Sequence, residues 1–266
     1  VLALPLVYLA VPFLIVLVWF ALAWAFRADR PREVRLGLAG TLRLFWHEFV
    51  TIAGNAPRMI LYRVLIQDPP AARTELPVLL VHGVLCNAGV WHAFARWAQR
   101  KGIGPIYALT YGPPLASIEL FAEQAAQKID AILAATGARR LVVIAHSMGG
   151  LVMRAYLRRY GGAKVARLVT VGTPHEGSVH AWMAAGTSLS QIRPRSAWLS
   201  GLGRPDGDAI PPIVSIWSWH DSMVAPQTSS RIPFGDNIAL GGVAHNALLR
   251  DPQVFGHLAE EIERSR

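Results

Sequence analysis

The sequence is poor in cysteine, lysine and charge. Its 266 residues include one cysteine, Cys86, which excludes an intrachain disulfide and a cysteine-based zinc site. Charged residues make up only 16% against 53% hydrophobic ones, which excludes a disordered chain or a coiled coil. Lysine occurs at Lys101, Lys128 and Lys164 alone, so arginine carries the formal net charge of +9. The arginines are scattered among helix faces and loops and form no stripe, so no nucleic-acid partner is expected. No repeat or low-complexity segment occurs, which excludes a solenoid or a propeller. The length suits one domain, alone or with an appendage.

Residues 1–26 contain no charged side chain. At about 1.5 Å per residue, roughly 20 apolar residues cross the hydrocarbon core of a bilayer, so the run predicts a transmembrane helix. Pro5 and Pro12 lie in its first half. Trp19 and Trp24 sit near its end, where interfacial aromatics belong. Ala21-Leu22-Ala23 also has the form of a leader cleavage site. A leader core runs only about 7–15 residues, however, and no basic segment precedes this one. Arg27, Arg30, Arg32 and Arg35 follow at once and suit lipid headgroups. By the positive-inside rule they place the remainder on the cytoplasmic face; further basic residues ahead of Val1 would reverse that. The expectation is a single-pass protein of a bacterial cell membrane.

Residues 27–76 read as a juxtamembrane amphipathic segment and linker. Leu42, Phe45, Trp46, Phe49, Val50, Met59, Ile60 and Leu61 recur at helical spacing, interrupted by Arg43, His47, Glu48, Arg58 and Arg63. Gly54-Asn55-Ala56-Pro57 predicts a break. The apolar face suits the membrane interface or the surface of the following domain equally well.

From residue 77 onward, strand and helix patterns alternate. Strands are expected at Val78–Val81, 105–109, 141–145, Val165–Val171, 213–217 and 237–240, and helices at 91–100, 117–136, Met148–Tyr160 and 253–263. Val78–Val81 is a short continuous apolar run, as expected of a strand buried on both faces. The alternation predicts an α/β domain over 77–266 with a mostly parallel sheet of about six strands flanked by helices.

The chemistry is expected at the end of the third strand. Ala145-His146-Ser147-Met148-Gly149-Gly150 follows an apolar run and opens a helix, the context of a nucleophile elbow. Such a turn crowds the backbone, which explains small residues at Ala145 and Gly149. A serine nucleophile needs a base and an acid later in the chain. His245 lies in a Gly-Gly loop between the last strand and the last helix. His257 falls inside that helix, and His220 adjoins an acid candidate. Asp221 follows the fifth strand at its carboxyl end; Asp236 is the second choice, and Asp206 and Asp208 read as solvated turn residues. Oxyanion donors are expected at the amides of Met148 and Val84. His82 reads as structural and Cys86 as a small apolar filler.

Val81-His82-Gly83, the Ala-His-Ser-Met-Gly-Gly elbow, Gly172-Thr173-Pro174-His175 with Gly177-Ser178, and Asp221 with Val224 and Pro226 occur in order. Together they resemble bacterial lipases and carboxylesterases of the α/β-hydrolase superfamily, and the elbow is similar to that of the small Bacillus-type lipases. The resemblance spans roughly residues 77–263. It implies a catalytic triad of Ser147, Asp221 and His245, a minimal sheet, and no metal or other cofactor. Residues 178–212, where the superfamily inserts lids, carry Trp182 and Trp198 among arginines and suit a lid that touches lipid. The implied reaction is hydrolysis of acyl-lipid esters through an acyl-enzyme. A phospholipase, thioesterase or acyltransferase would use the same triad, and a silent membrane-tethered binding module would keep only the fold. Because every candidate catalytic residue lies beyond the linker, a chain beginning near Pro77 is expected to hydrolyse short esters.

Overall fold

The structure, a computed structural model, describes residues 3–204 and 210–266. Asp206 and Asp208 therefore lie outside the described residues. The element order is α1 (Ala3–Ala25), α2 (Leu38–Ile60), α3 (Tyr62–Leu65), β1 (Val78–Val81), α4 (His92–Arg100), β2 (Ile106–Leu109), α5 (Ile118–Thr136), β3 (Leu141–His146), α6 (Met148–Tyr160), β4 (Val165–Val171), α7 (Thr187–Ile192), α8 (Ala197–Leu202), β5 (Ile213–Ser218), β6 (Asp236–Leu240) and α9 (Pro252–Glu263). The six strands form one sheet in the order β2-β1-β3-β4-β5-β6, and every neighbouring pair is parallel.

Period-two alternation sends successive strand residues to opposite faces. Leu79, Val81, Leu141, Val143 and Ala145 pack on one side with Phe121, Ile129, Leu151 and Val152 of α5 and α6. Val78, Leu80, Val142 and Ile144 pack on the other with Phe94 of α4 and Phe255 and Leu258 of α9. Both faces are thus covered, and β1 reads as an unbroken apolar run for that reason, whereas β6 at the sheet edge is largely exposed. Local signals set the helix ends: Ser117 Oγ accepts from Glu119 N to cap α5, and Gly137 at φ 72° ends it.

The N-terminal helices pack on each other and on this sheet domain. Phe13 of α1 makes an edge contact with Phe45 at 5.3 Å, and Phe20 meets the same ring at 5.4 Å. Residues 7–25 are long and apolar enough to cross a membrane, and little of that stretch is buried inside the protein. Helix α2 runs through 54–57 without the expected break. Pro57 cannot donate to the carbonyl of Ala53, but the hydroxyl of Tyr8 donates to it in place of the missing amide. The Arg58 guanidinium donates to the next carbonyl, that of Gly54. One side of α2 faces inward and buries Leu44, Glu48, Thr51 and Asn55, while Leu42, Trp46 and Val50 stay exposed.

Candidate active site

β3 delivers Ser147 into a turn too tight for ordinary backbone angles. Its φ is 55° and ψ −127°, a region that non-glycine residues seldom adopt and that stores strain. Close packing enforces the geometry. A Cβ on Gly149 would stand 2.5 Å from the carbonyl oxygen of His82, so no larger residue fits there. Met148 is the first residue of α6, where its amide has no partner within the helix.

The opposing loop is held by a stacked pair. His82 lies 4.0 Å from the Tyr111 ring, and its Nε2 accepts from Tyr111 N–H at 3.3 Å. The proton is then on Nδ1, which donates to Gly83 O at 2.8 Å, while the Tyr111 hydroxyl donates to His82 O at 2.7 Å. Burial lowers His82 to about 4, so it stays neutral. Its role here is structural: it fixes the backbone just ahead of Val84.

Asp221 and His245 meet on the other side of Ser147. His245 Nδ1 lies 2.8 Å from Asp221 Oδ2, and both side chains are buried. Asp221 Oδ1 accepts from the amides of Met223 and Val224 at 2.8 and 2.7 Å. Gly172 packs beneath the pair at φ 56°; a Cβ there would crowd Asp221 Oδ2 at 3.2 Å and His245 Nδ1 at 3.3 Å. Burial by itself would lower the His245 pKa. The Asp221 carboxylate outweighs that, Glu48 adds to it, and the imidazole is held above its ordinary value of 6.5. His146 donates from Nε2 to the carbonyl of His245 at 3.2 Å, and burial keeps it well below the usual histidine range.

Ser147, His146 and His245 share a cavity of about 630 Å³. The serine hydroxyl is not hydrogen-bonded to the imidazole here; the two side chains open on the same space. Val84 lines this cavity beside Gly83. So does Cys86, whose thiol burial pushes up to about 12. Much of the wall comes from the N-terminal helices, through Ile15 and Trp19 of α1 and Ile52, Ala56 and Met59 of α2.

The remaining candidates lie elsewhere. Trp182 is exposed under the Arg193 guanidinium, 4.3 Å from its ring centre. Trp198 packs on the α5 side of the sheet and donates from Nε1 to Glu119 Oε1 at 2.7 Å. Neither reaches the cavity over Ser147. Asp236 is exposed at the start of β6. His220 is buried and accepts from Gly242 N at 2.9 Å, and His257 sits half-exposed beside Glu260. Two residues that sequence reasoning passed over also touch the site. Gln227 donates to Asp221 O at 3.1 Å and accepts from Ala28 N at 3.1 Å, tying the end of α1 to the acid's turn. Glu48 is fully buried against the His245 loop. Both are polar residues within irregular or amphipathic stretches, and nothing local in the sequence distinguishes them.

Comparison with known proteins gives a consistent relationship. A family described as having the alpha/beta hydrolase fold matches residues 111–196. The chain is 33% identical over 119 residues to a triacylglycerol lipase of Pseudarthrobacter phenanthrenivorans, covering 40% of this chain and 35% of the lipase. A Burkholderia plantarii triacylglycerol lipase is also 33% identical over 119 residues, with 40% and 32% covered. The match thus spans about a third of the length of these lipases. The mature Bacillus licheniformis lipase BlEst2 superposes with a TM-score of 0.63 at 17% identity, over 74% of this chain and 94% of that one. The chain accordingly has an α/β-hydrolase fold related to that of bacterial lipases and esterases.

Proposed function

We propose that this chain is a serine hydrolase of acyl-lipid carboxylic esters, attached to a bacterial cell membrane through α1. The observation that carries the reading is the buried Asp221–His245 hydrogen bond of 2.8 Å beside a serine held at φ 55° in an apolar cavity. Ser147 Oγ attacks the ester carbonyl and His245 Nε2 takes its proton. Asp221 fixes the tautomer and stabilises the imidazolium. The amides of Met148 and Val84 receive the charge that develops on the carbonyl oxygen. His245 returns the proton to the leaving alcohol, and water repeats the sequence on the acyl-enzyme.

The acyl chain occupies the cavity over Ser147, whose volume falls in the ordinary range for small-molecule sites, roughly 300–1,000 Å³. Membrane attachment is supported by the exposed apolar side chains of α1, among them Leu14, Leu17 and Val18, and by Trp46 and Val50 on α2. An aggregated or bilayer substrate meets such a protein at high effective concentration.

Fluorophosphonate labelling of the wild type and of Ser147→Ala tests the reading, together with hydrolysis of p-nitrophenyl butyrate. The wild type is expected to label and turn over. The alanine protein should lose labelling and at least about a thousand-fold in kcat. Retention of most activity without Ser147 overturns the assignment.

A further inference from the structure

The site contains a second buried carboxylate for which hydrolysis by a serine triad has no stated use. Glu48 projects from α2 and is 0% exposed. Its Oε1 accepts from the Ser222 hydroxyl at 2.9 Å, from Asn246 Nδ2 at 2.8 Å and from Asn246 N at 3.0 Å. Its Oε2 accepts from Asn246 N at 3.0 Å and from Ala247 N at 2.9 Å. Every partner donates and none accepts, the arrangement that suits the two oxygens of a carboxylate. A buried anion is costly, and here hydrogen-bond donors offset the cost in place of a cation.

The donors come from two turns only. Ser222 follows Asp221, and Asn246 and Ala247 follow His245. The Ser222 hydroxyl gives its proton to Glu48 and lies 3.4 Å from the amide of His245, from which it accepts. Glu48 therefore reaches both sides of the His245 peptide: the preceding amide through Ser222, the following one directly. The carbonyl of His245 is taken by His146. With the ring held by Asp221, every polar group of His245 except Nε2 is committed.

We propose that Glu48 is a positioning residue of the active site: from α2 it clamps the Asp221 and His245 turns together and sets the imidazole against Ser147. It makes the amphipathic N-terminal helix part of the catalytic apparatus. The inference rests on the triad reading above. The charged or titratable groups that face His245 are Asp221 after β5, Glu48 on α2, His146 at the end of β3 and His180 in the 179–182 turn.

The test uses the full chain in detergent, with Ser147→Ala run alongside. Glu48→Gln keeps shape and removes charge, and its amide NH2 must face a donor. The expected result is a kcat on a short ester lowered on the order of ten-fold or more, with KM within about two-fold. The acid limb of the pH–rate profile should move to lower pH. The sign follows from the charges: two anions hold the imidazolium, and removing one frees the base at lower pH. A merely structural role would lower the active fraction equally at every pH and leave the limb in place. An unmoved limb, or a wild-type kcat, overturns the proposal while Ser147-dependent hydrolysis still stands. Activity that survives in Ser147→Ala overturns the triad and the clamp with it. Should the glutamine protein fail to fold, Glu48→Asp decides: a kcat reduced per active site, counted by fluorophosphonate titration, supports the clamp, and an unchanged kcat per active site overturns it.

Discussion

Filling the cavity over Ser147 from the side of α2 should change which acyl chains are hydrolysed. Ala56 lines the cavity, is partly buried and takes no part in the hydrogen bonds around Asp221, His245 or Glu48. Replacing it by phenylalanine places a ring in space assigned to the chain. Each buried methylene contributes about 0.8 kcal/mol. A ring that displaces three of them removes about 2.4 kcal/mol, roughly sixty-fold in kcat/KM for a chain long enough to have used that space. A butyrate ester that fits beside Ser147 loses far less. The assay is kcat/KM across p-nitrophenyl esters from acetate to palmitate in detergent. The wild type should gain roughly four-fold per methylene until the cavity is full. Ala56→Phe should flatten that rise several carbons earlier. Ile60→Asp provides an independent arm, because Ile60 lines the same cavity yet is 81% exposed, so the substitution burdens the fold little. A charge there should also depress long chains selectively. If both variants keep the wild-type chain-length profile, the α1–α2 cavity is not where the chain lies.

Three further outcomes follow from the structure. His82 is neutral in the fold with its pKa lowered to about 4, against 6.5 when unfolded. Its contribution is present above pH 6.5 and is lost as pH falls to 4, about 3 kcal/mol over that window, so urea midpoints should drop steadily through it; a flat midpoint refutes the neutral, buried His82. A chain beginning at Pro77 lacks Glu48 and much of the cavity wall. It is therefore expected to lose at least about ten-fold in kcat even on acetate esters; circular dichroism would show whether it still folds, and wild-type turnover would mean the N-terminal helices are dispensable. The full chain should sediment with membranes and resist carbonate, since a charged residue at mid-helix costs a few kcal/mol and residues 7–25 contain none; release by carbonate alone would mean that α1 only rests on the surface.

Much of the sheet domain is legible because its signals are local. Val78–Val81 is an apolar run bounded by Pro77 and His82, and a strand buried on both faces needs little else; Val165–Val171 is apolar apart from Arg167 and Thr170 and lies between Lys164 and Gly172. Ser117 and Gly137 mark the ends of α5 by side-chain and backbone chemistry contained within a few residues. The elbow is equally compact: Ala145, Gly149 and the serine between them state the turn in five positions. Asp221 and His245 are legible as a pair only because chain order after a serine elbow narrows the choice; the hydrogen bond itself spans 24 residues.

Features that depend on distant partners are not legible in this way. Pro57 marks a break by every local rule, yet α2 continues through it, and the carbonyl that the proline leaves free accepts from Tyr8, 45 residues earlier. The aromatic 178–212 segment has the composition of a lid, but Trp198 is turned toward Glu119 on α5 and Trp182 outward under Arg193. The apolar roof over Ser147 comes instead from residues whose periodicity suits lipid and protein surfaces alike. Glu48 shows the limit most clearly. In the sequence it is one of several charged or polar residues, with Arg43, His47, Arg58 and Arg63, that interrupt the apolar pattern of this segment. Its five contacts involve residues 174 to 199 positions away, so only the folded chain places it beside the histidine. Helix α2 leaves Leu42, Trp46 and Val50 exposed on one side and buries Glu48 against the His245 turn on the other, and the hydrophobic period by itself does not tell these two surroundings apart.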